Sequence, residues 1–106
     1  GGIAAASTVH INLFGPHPIV VFGTDEQKSR WVPRLVAGQD KCCFGVTEPD
    51  AGLNTTRIKT FAKKVDGGYL VNGQKVWTST GQVATKIMLL ARTTRFEDCK
   101  RPTDGI

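Results

Sequence analysis

Two short polar clusters hold the residues whose types and spacing suit chemistry. One is Thr47-Glu48-Pro49-Asp50-Ala51-Gly52 and the other is Trp77-Thr78-Ser79. Trp77 offers a flat aromatic wall. Thr47 and Ser79 offer hydroxyl donors, and the loop after Thr47 offers free backbone amides. A flat heteroaromatic ligand needs that combination, an aromatic face and a few donors along a polar edge. A strand aromatic packed in a core, with ordinary hydrogen bonds around it, uses the same residue types, so both readings stay open on these residues alone. Glu48 has the side chain of a general base. No second group in the sequence is placed to tune it, and a lone loop carboxylate is usually structural or solvated. His10 and His17 have no evident acid or nucleophile beside them and read as structural histidines.

Other chemistries find little support. Cys42 and Cys43 are neighbours and Cys99 is distant. Neighbouring cysteines rarely bridge, an odd count argues against a disulfide framework, and no CxxC or Cys/His spacing suggests zinc. Buried thiols are the expectation. No P-loop pattern occurs, and Gly67-Gly68 reads as a turn rather than a phosphate cradle. The chain is basic, with 14 Lys and Arg against 9 Asp and Glu. The charges are dispersed, and Lys63-Lys64 and Lys100-Arg101 are the only adjacent basic pairs. That footprint argues against nucleic acid. No apolar run reaches the roughly 18–20 residues of a membrane span, and the N-terminus lacks the pattern of a signal peptide.

At 106 residues the chain is one domain or part of one. Residues 1–13 have helical composition, with Ile3, Ala6, Val9 and His10 on one side, and are expected to end a helix. Phe14-Gly15-Pro16 breaks it. Residues 18–22 are a short apolar stretch of undecided type. Thr24 opens a further helix, with Gln27 placed to complete a capping box and Asp25 and Glu26 suited to the positive helix start. Trp31, Val32, Leu35 and Val36 form its apolar stripe. Pro33 is expected to kink or split it, and Gly38 to end it.

From Lys41 the pattern turns to strands. Residues 42–47 form one, and residues 56–65 another by alternation. Asp66-Gly67-Gly68 is a tight turn, and residues 69–71 are a strand. Asn72-Gly73 is a strong hairpin signal. Residues 75–80 are then expected to return as a strand that puts Trp77 and Ser79 on one face. Residues 86–92 form a further strand, apolar enough to be buried, and residues 98–105 form a loop. The fold class is α+β, with N-terminal helices followed by an antiparallel β-sheet. The four or five strands amount to a partial, truncated β-barrel.

At this point the residues match a known family. Gly45-Val46-Thr47-Glu48-Pro49-Asp50-Ala51-Gly52 resembles the first signature of the acyl-CoA dehydrogenases. Asn72-Gly73-Gln74-Lys75-Val76-Trp77-Thr78-Ser79 resembles the second conserved stretch of their middle β domain. Phe22-Gly23-Thr24-Asp25-Glu26-Gln27-Lys28, with Trp31 and Pro33 after it, is similar to the end of their N-terminal helical domain. Leu89-Leu90-Ala91-Arg92-Thr93 fits the strand after the second stretch. The resemblance divides the chain into residues 1–38, the end of the helical domain, and 39–106, part of the flavin-binding middle domain.

The resemblance implies an FAD-dependent oxidation of an acyl-CoA thioester to the trans-2-enoyl-CoA. It assigns Trp77 to the wall beside the flavin, and Thr47, Thr78 and Ser79 to its polar edge. Phe44 and Val46 are assigned to its lining, and Gly52 to the approach of backbone to the FAD phosphates. Leu53 and Asn54 stand where the family has Ser and Asp near the ligands, and Leu53 has no hydroxyl to offer. Arg57 replaces a small residue and reads as a solvated strand-edge arginine. The family's catalytic Glu lies in a further helical domain, so no catalytic residue is expected among these 106, and the chain is expected to be a fragment or truncated product without turnover of its own. Electron-transfer flavoprotein as electron acceptor, a homo-oligomeric full-length form, and the bacterial cytoplasm or mitochondrial matrix follow from the same resemblance. Two other classes remain, a non-catalytic flavin- or acyl-CoA-binding module and a structural interaction domain.

Overall fold

The computed structural model describes residues 2–106. Helices α1 (Gly2–Phe14), α2 (His17–Phe22) and α3 (Asp25–Val36) precede strands β1 (Cys42–Gly45), β2 (Phe61–Val65), β3 (Gly68–Asn72) and β4 (Lys86–Leu89). Helices first and strands afterwards is the order expected. Gly1, at the start of the helix expected over residues 1–13, lies outside the described residues. β1 pairs with β4 and β2 with β3, giving two two-stranded sheets and no closed barrel among the described residues. The chain forms two compact units. One holds the residues up to Phe44 together with Thr80–Met88, and the other holds Gly45–Ser79 together with Leu89–Ile106.

In the first unit, α1 ends where Gly15 donates its amide to Ile11 O at 2.9 Å. A Cβ on Gly15 would lie 2.8 Å from that oxygen and 3.1 Å from Cys42 Cβ, so only glycine lets the chain turn there. The undecided stretch at 18–22 is helical, with Pro16 before its first residue and Pro18 in its first turn, where a missing amide costs nothing. α3 starts on the expected capping box. Gln27 N donates to Thr24 Oγ1 at 3.2 Å, and Thr24 N to Gln27 Oε1 at 2.9 Å.

Pro33 does not split α3. The helix runs through it, and Ala37 N still donates to Pro33 O at 3.0 Å, because a proline one turn from the end removes a single bond. Of the expected stripe, Leu35 is buried and Val36 is exposed. The helix end is tied down by a carboxylate. Asp40 is buried and accepts from Arg34 Nε at 2.8 Å and from Thr85 Oγ1 at 3.1 Å. The hydrogen bond from Arg34 holds its carboxyl below the usual carboxylate range. α1 buries none of its described residues, so the face of Ile3 and Val9 is exposed.

In the second unit, β2 and β3 are an antiparallel hairpin in which Phe61 faces Asn72 and Val65 faces Gly68. Gly67 makes the turn with φ +76°, a conformation glycine adopts without strain. Four expectations fail in this part of the chain. Residues 55–57 form a short 3₁₀ turn rather than the start of a strand. Asn72-Gly73 makes no hairpin, and residues 73–78 form no strand. The chain instead runs on beside β2, so close that a Cβ on Gly73 would lie 2.3 Å from Thr60 Oγ1. That glycine serves close approach rather than a turn. Residues 86–92 are not a buried strand either. β4 ends at Leu89, Ile87 is half exposed, and the residue sealed from water is Arg92, at 0% exposure.

Arg92 is the hub of this unit. Its Nε donates to Ile58 O at 2.6 Å, one terminal nitrogen to Asp104 O at 2.7 Å, and the other to Pro102 O at 2.7 Å and to Thr56 O. Its backbone bridges β2, with Ala62 N donating to Arg92 O at 2.7 Å and Arg92 N to Thr60 O at 2.8 Å. No carboxylate pairs with it among the described residues. Backbone dipoles solvate the cation in place of water. Arg92→Met leaves those carbonyls without their donor and should lower unfolding stability by about 3 kcal/mol in a urea titration. A loss under about 1 kcal/mol would mean that water replaces the guanidinium at little cost.

Candidate functional site

The first polar cluster is a tight turn. Glu48 N donates to Ala51 O at 2.9 Å and Ala51 N returns to Glu48 O at 3.1 Å. Proline at the second position of the turn fixes the backbone. The turn faces the segment that carries Trp77. Val76 N donates to Thr47 O at 2.9 Å, while Lys75 Nζ donates to Val46 O at 2.9 Å and to Glu48 Oε1 at 2.9 Å. The first polar cluster therefore meets Lys75 and Val76, the two residues just before the second. They meet through backbone and an ion pair rather than through a returning strand.

Glu48 is the electrostatic centre of this meeting. Its side chain is 7% exposed and that of Lys75 8%. Oε2 accepts from Lys59 N at 2.7 Å, and Oε1 from Thr60 N at 2.9 Å and from Thr60 Oγ1. Burial alone would push the carboxyl up. The bonds from the Thr60 hydroxyl, the Lys59 amide and Lys75 outweigh it and hold the pKa at about 2. A carboxylate so held has no capacity left to take a proton near neutrality, so Glu48 is an anchor and not a base.

Trp77 is 87% exposed, and its backbone has φ +58°. The left-handed backbone at Trp77 breaks the alternation on which the shared face with Ser79 rested. Thr80 is also left-handed, at φ +62°. Val46, Thr47 and Thr78 are half-buried, and Ser79 and Gly52 are exposed. A Cβ on Gly52 would meet nothing within 4 Å, so this stretch of backbone is open to a ligand. Leu53 is fully exposed. The Asn54 carboxamide is committed locally, accepting from Thr56 N at 3.1 Å and Thr56 Oγ1 at 2.6 Å. Phe44 belongs to the first unit, where its ring meets His10 edge-on at 6.0 Å. The His10 ring also lies 4.6 Å from that of Phe14, tilted by 40°.

Sequence reasoning missed Lys75 and Thr60 as partners of Glu48. All three cysteines are free thiols. No group of three or more His, Cys, Asp or Glu among the described residues could hold a metal ion. No described helix is long and apolar enough to cross a membrane.

The Glu48 anchor has a pH signature. Its folded pKa lies below the unfolded value of 4.5, so its stabilisation is complete above that value and is lost as the pH falls through about 2. The difference corresponds to about 3 kcal/mol. Unfolding stability measured from pH 6 down to pH 2 should therefore fall steeply in the unmodified chain. Glu48→Gln should be less stable at pH 6 and have a flatter profile. Parallel profiles would remove Glu48 as the source of acid sensitivity.

Comparison with known proteins gives the same ancestry across the chain. The acyl-CoA dehydrogenase N-terminal domain matches residues 1–39 and the middle domain residues 43–105. The mitochondrial isovaleryl-CoA dehydrogenase of Arabidopsis thaliana is 35% identical over 106 residues, which is 100% of this chain and 25% of that protein. Acyl-CoA dehydrogenase FadE26 of Mycobacterium tuberculosis is 42% identical over 83 residues, covering 78% of this chain and 20% of that one. Among solved structures, the acyl-CoA dehydrogenase of Geobacillus kaustophilus superposes with a TM-score of 0.73 at 37% identity, over 79% of this chain and 22% of its own. Butyryl-CoA dehydrogenase of Megasphaera elsdenii does so at 0.69 and 38%, over 74% and 21%. The chain thus spans about a quarter of the length of the curated relatives it matches. It belongs to the acyl-CoA dehydrogenase family.

Proposed function

We propose that this chain provides one side of an FAD site in an acyl-CoA dehydrogenase that oxidises an acyl-CoA thioester to the trans-2-enoyl-CoA. The observation that carries the reading is Trp77, an indole held out at 87% exposure on a left-handed backbone beside Thr47. A core aromatic would be covered, whereas a ligand wall must be open. The surrounding residues fit a flavin. The Thr47 hydroxyl makes no hydrogen bond among the described residues, and the backbone at Gly52 is open. Two FAD-containing relatives of known structure support the cofactor, PigA and a glutaryl-CoA dehydrogenase of Mycobacterium smegmatis with FADH2.

When bound, FAD supplies the acceptor for the hydride that leaves the β-carbon of the acyl chain. Trp77 covers one face of the ring and excludes water from it. Thr47, Thr78 and Ser79 line the polar edge, where hydroxyl and amide donors stabilise negative charge. Val46 lines the ring, and Gly52 lets backbone approach the phosphates. Leu53 and Asn54 adjoin the substrate without supplying the hydroxyl of the usual serine, and Asn54 Oδ1 is already taken by Thr56. The α-proton goes to a base outside these residues, since Glu48 stays ionised and fully engaged.

We assign residues 1–38 to the helical part and 39–106 to the flavin-binding β part. The domain matches, which end at 39 and begin at 43, support that division. An acyl-CoA substrate, a homo-oligomeric full-length enzyme and electron transfer to an electron-transfer flavoprotein complete the proposal. The compartment is the bacterial cytoplasm or the mitochondrial matrix, since relatives come from bacteria and from mitochondria.

The test is to add FAD to the purified chain, desalt it, and record flavin absorbance with tryptophan fluorescence. Retained flavin and a quench that weakens in Trp77→Phe are expected, with Trp31 as the remaining emitter. A quench unchanged in that variant, or none in a folded chain, would overturn the reading. Mixed with an acyl-CoA and a dye, the 106-residue chain should give no reduction, for want of a base.

A further inference from the structure

We propose that Lys75 and Glu48 are positioning residues of this site, setting the spacing between the Thr47 hydroxyl and the Trp77 ring. The inference rests on the flavin reading and goes beyond it, because neither side chain is placed against the flavin there. Lys75 Nζ reaches the carbonyl before Thr47 and the carboxylate after it, each at 2.9 Å. The next residue, Val76, takes the carbonyl of Thr47 itself at 2.9 Å. Two consecutive residues thereby grip three, and Thr47 is held in the middle.

The residue that follows the grip is Trp77. Its φ of +58° is a conformation that a bulky side chain keeps only where its surroundings impose it. The exposed indole makes few contacts of its own to impose it. The constraint must come along the chain, and Lys75 is the nearest buried side chain on the N-terminal side. Glu48 passes the constraint on to the Lys59 and Thr60 amides, which lead into β2. A buried ion pair satisfied on both sides is stiff, since breaking it strands a charge away from water.

A merely structural pair would lower the melting temperature and leave the flavin signals alone. The test is therefore FAD titration of the unmodified chain and of Lys75→Met, Lys75→Arg, Glu48→Gln and Asp40→Asn, each checked by circular dichroism. Lys75→Met and Glu48→Gln should raise the Kd for FAD about tenfold or more and reduce the Trp77 quench at saturation, while Lys75→Arg, which keeps charge and donors, restores part of both. Asp40→Asn loses an ion pair in the first unit and should melt earlier with Kd and quench unchanged. Should Lys75→Met fail to fold, Glu48→Gln carries the same expectation. Folded Lys75→Met or Glu48→Gln with the unmodified Kd and quench would overturn the positioning role and leave the flavin reading intact. No quench in the unmodified chain would remove both.

Discussion

A carboxylate sealed from water needs donors on every side, and the second unit is arranged to satisfy that need at Glu48. Isolated, the group would cost several kcal/mol to bury. Here a lysine, a threonine hydroxyl and two amides surround it. The four donors come from two separate points in the chain, residues 59–60 and residue 75. Meeting the carboxylate's demand brings those points together. The turn at Pro49, the extended residues before β2 and the segment before Trp77 share one origin, and removing it would release all three.

Such a hub matters because the apolar core is small. Few of the described apolar residues are buried, among them Leu35, Cys42, Cys43, Ala51 and Ile58, and of the large ones described only Ile58 is fully sealed. Apolar burial is non-directional and drives collapse without choosing one arrangement. Hydrogen-bonded charges are directional and do choose. Asp40 does so in the first unit, where it holds Arg34, Thr85 and Lys86. Arg92 and Glu48 do so in the second, Arg92 gathering four carbonyls and Glu48 four donors. Their carbonyl and amide partners meet at residues 58–60, where Ile58 O is given to Arg92 and the Lys59 and Thr60 amides to Glu48. That stretch carries both hubs, which accounts for its burial at Ile58 and Thr60 and for its failure to form the regular strand its alternation suggested.

What could be read from the sequence follows from this division. Local chemistry was legible. The capping box at Thr24, the turn at Gly67 and the breaks at Gly15 and Pro49 depend on neighbours within a few residues. The two polar clusters were legible through their family signatures. The Asn72-Gly73 signal misled because glycine has two uses, and the one in force, close approach to Thr60, depends on a residue 13 positions away. Lys75 and Arg92 were illegible for the same reason. A lysine or arginine read alone is expected on the surface, and only the convergence of distant backbone makes either one interior.

The left-handed Trp77 joins these hubs to function. Holding a bulky residue at positive φ costs on the order of 1 kcal/mol or more, and leaving an indole in water forgoes the burial it could have had. A sequence under no demand but stability would turn that ring inward or replace it. The cost is consistent with a ring set in place before its partner arrives, so that binding need not also order it. Thr80 repeats the left-handed backbone three residues later, so the segment carrying Thr78 and Ser79 lies between two positions held away from their easiest conformations. On the flavin reading proposed above, the open Trp77 ring is the form that recognition of a flat, inflexible ligand calls for, and the buried pair of Lys75, two residues before it, and Glu48 is the element proposed to keep that form before the ligand binds.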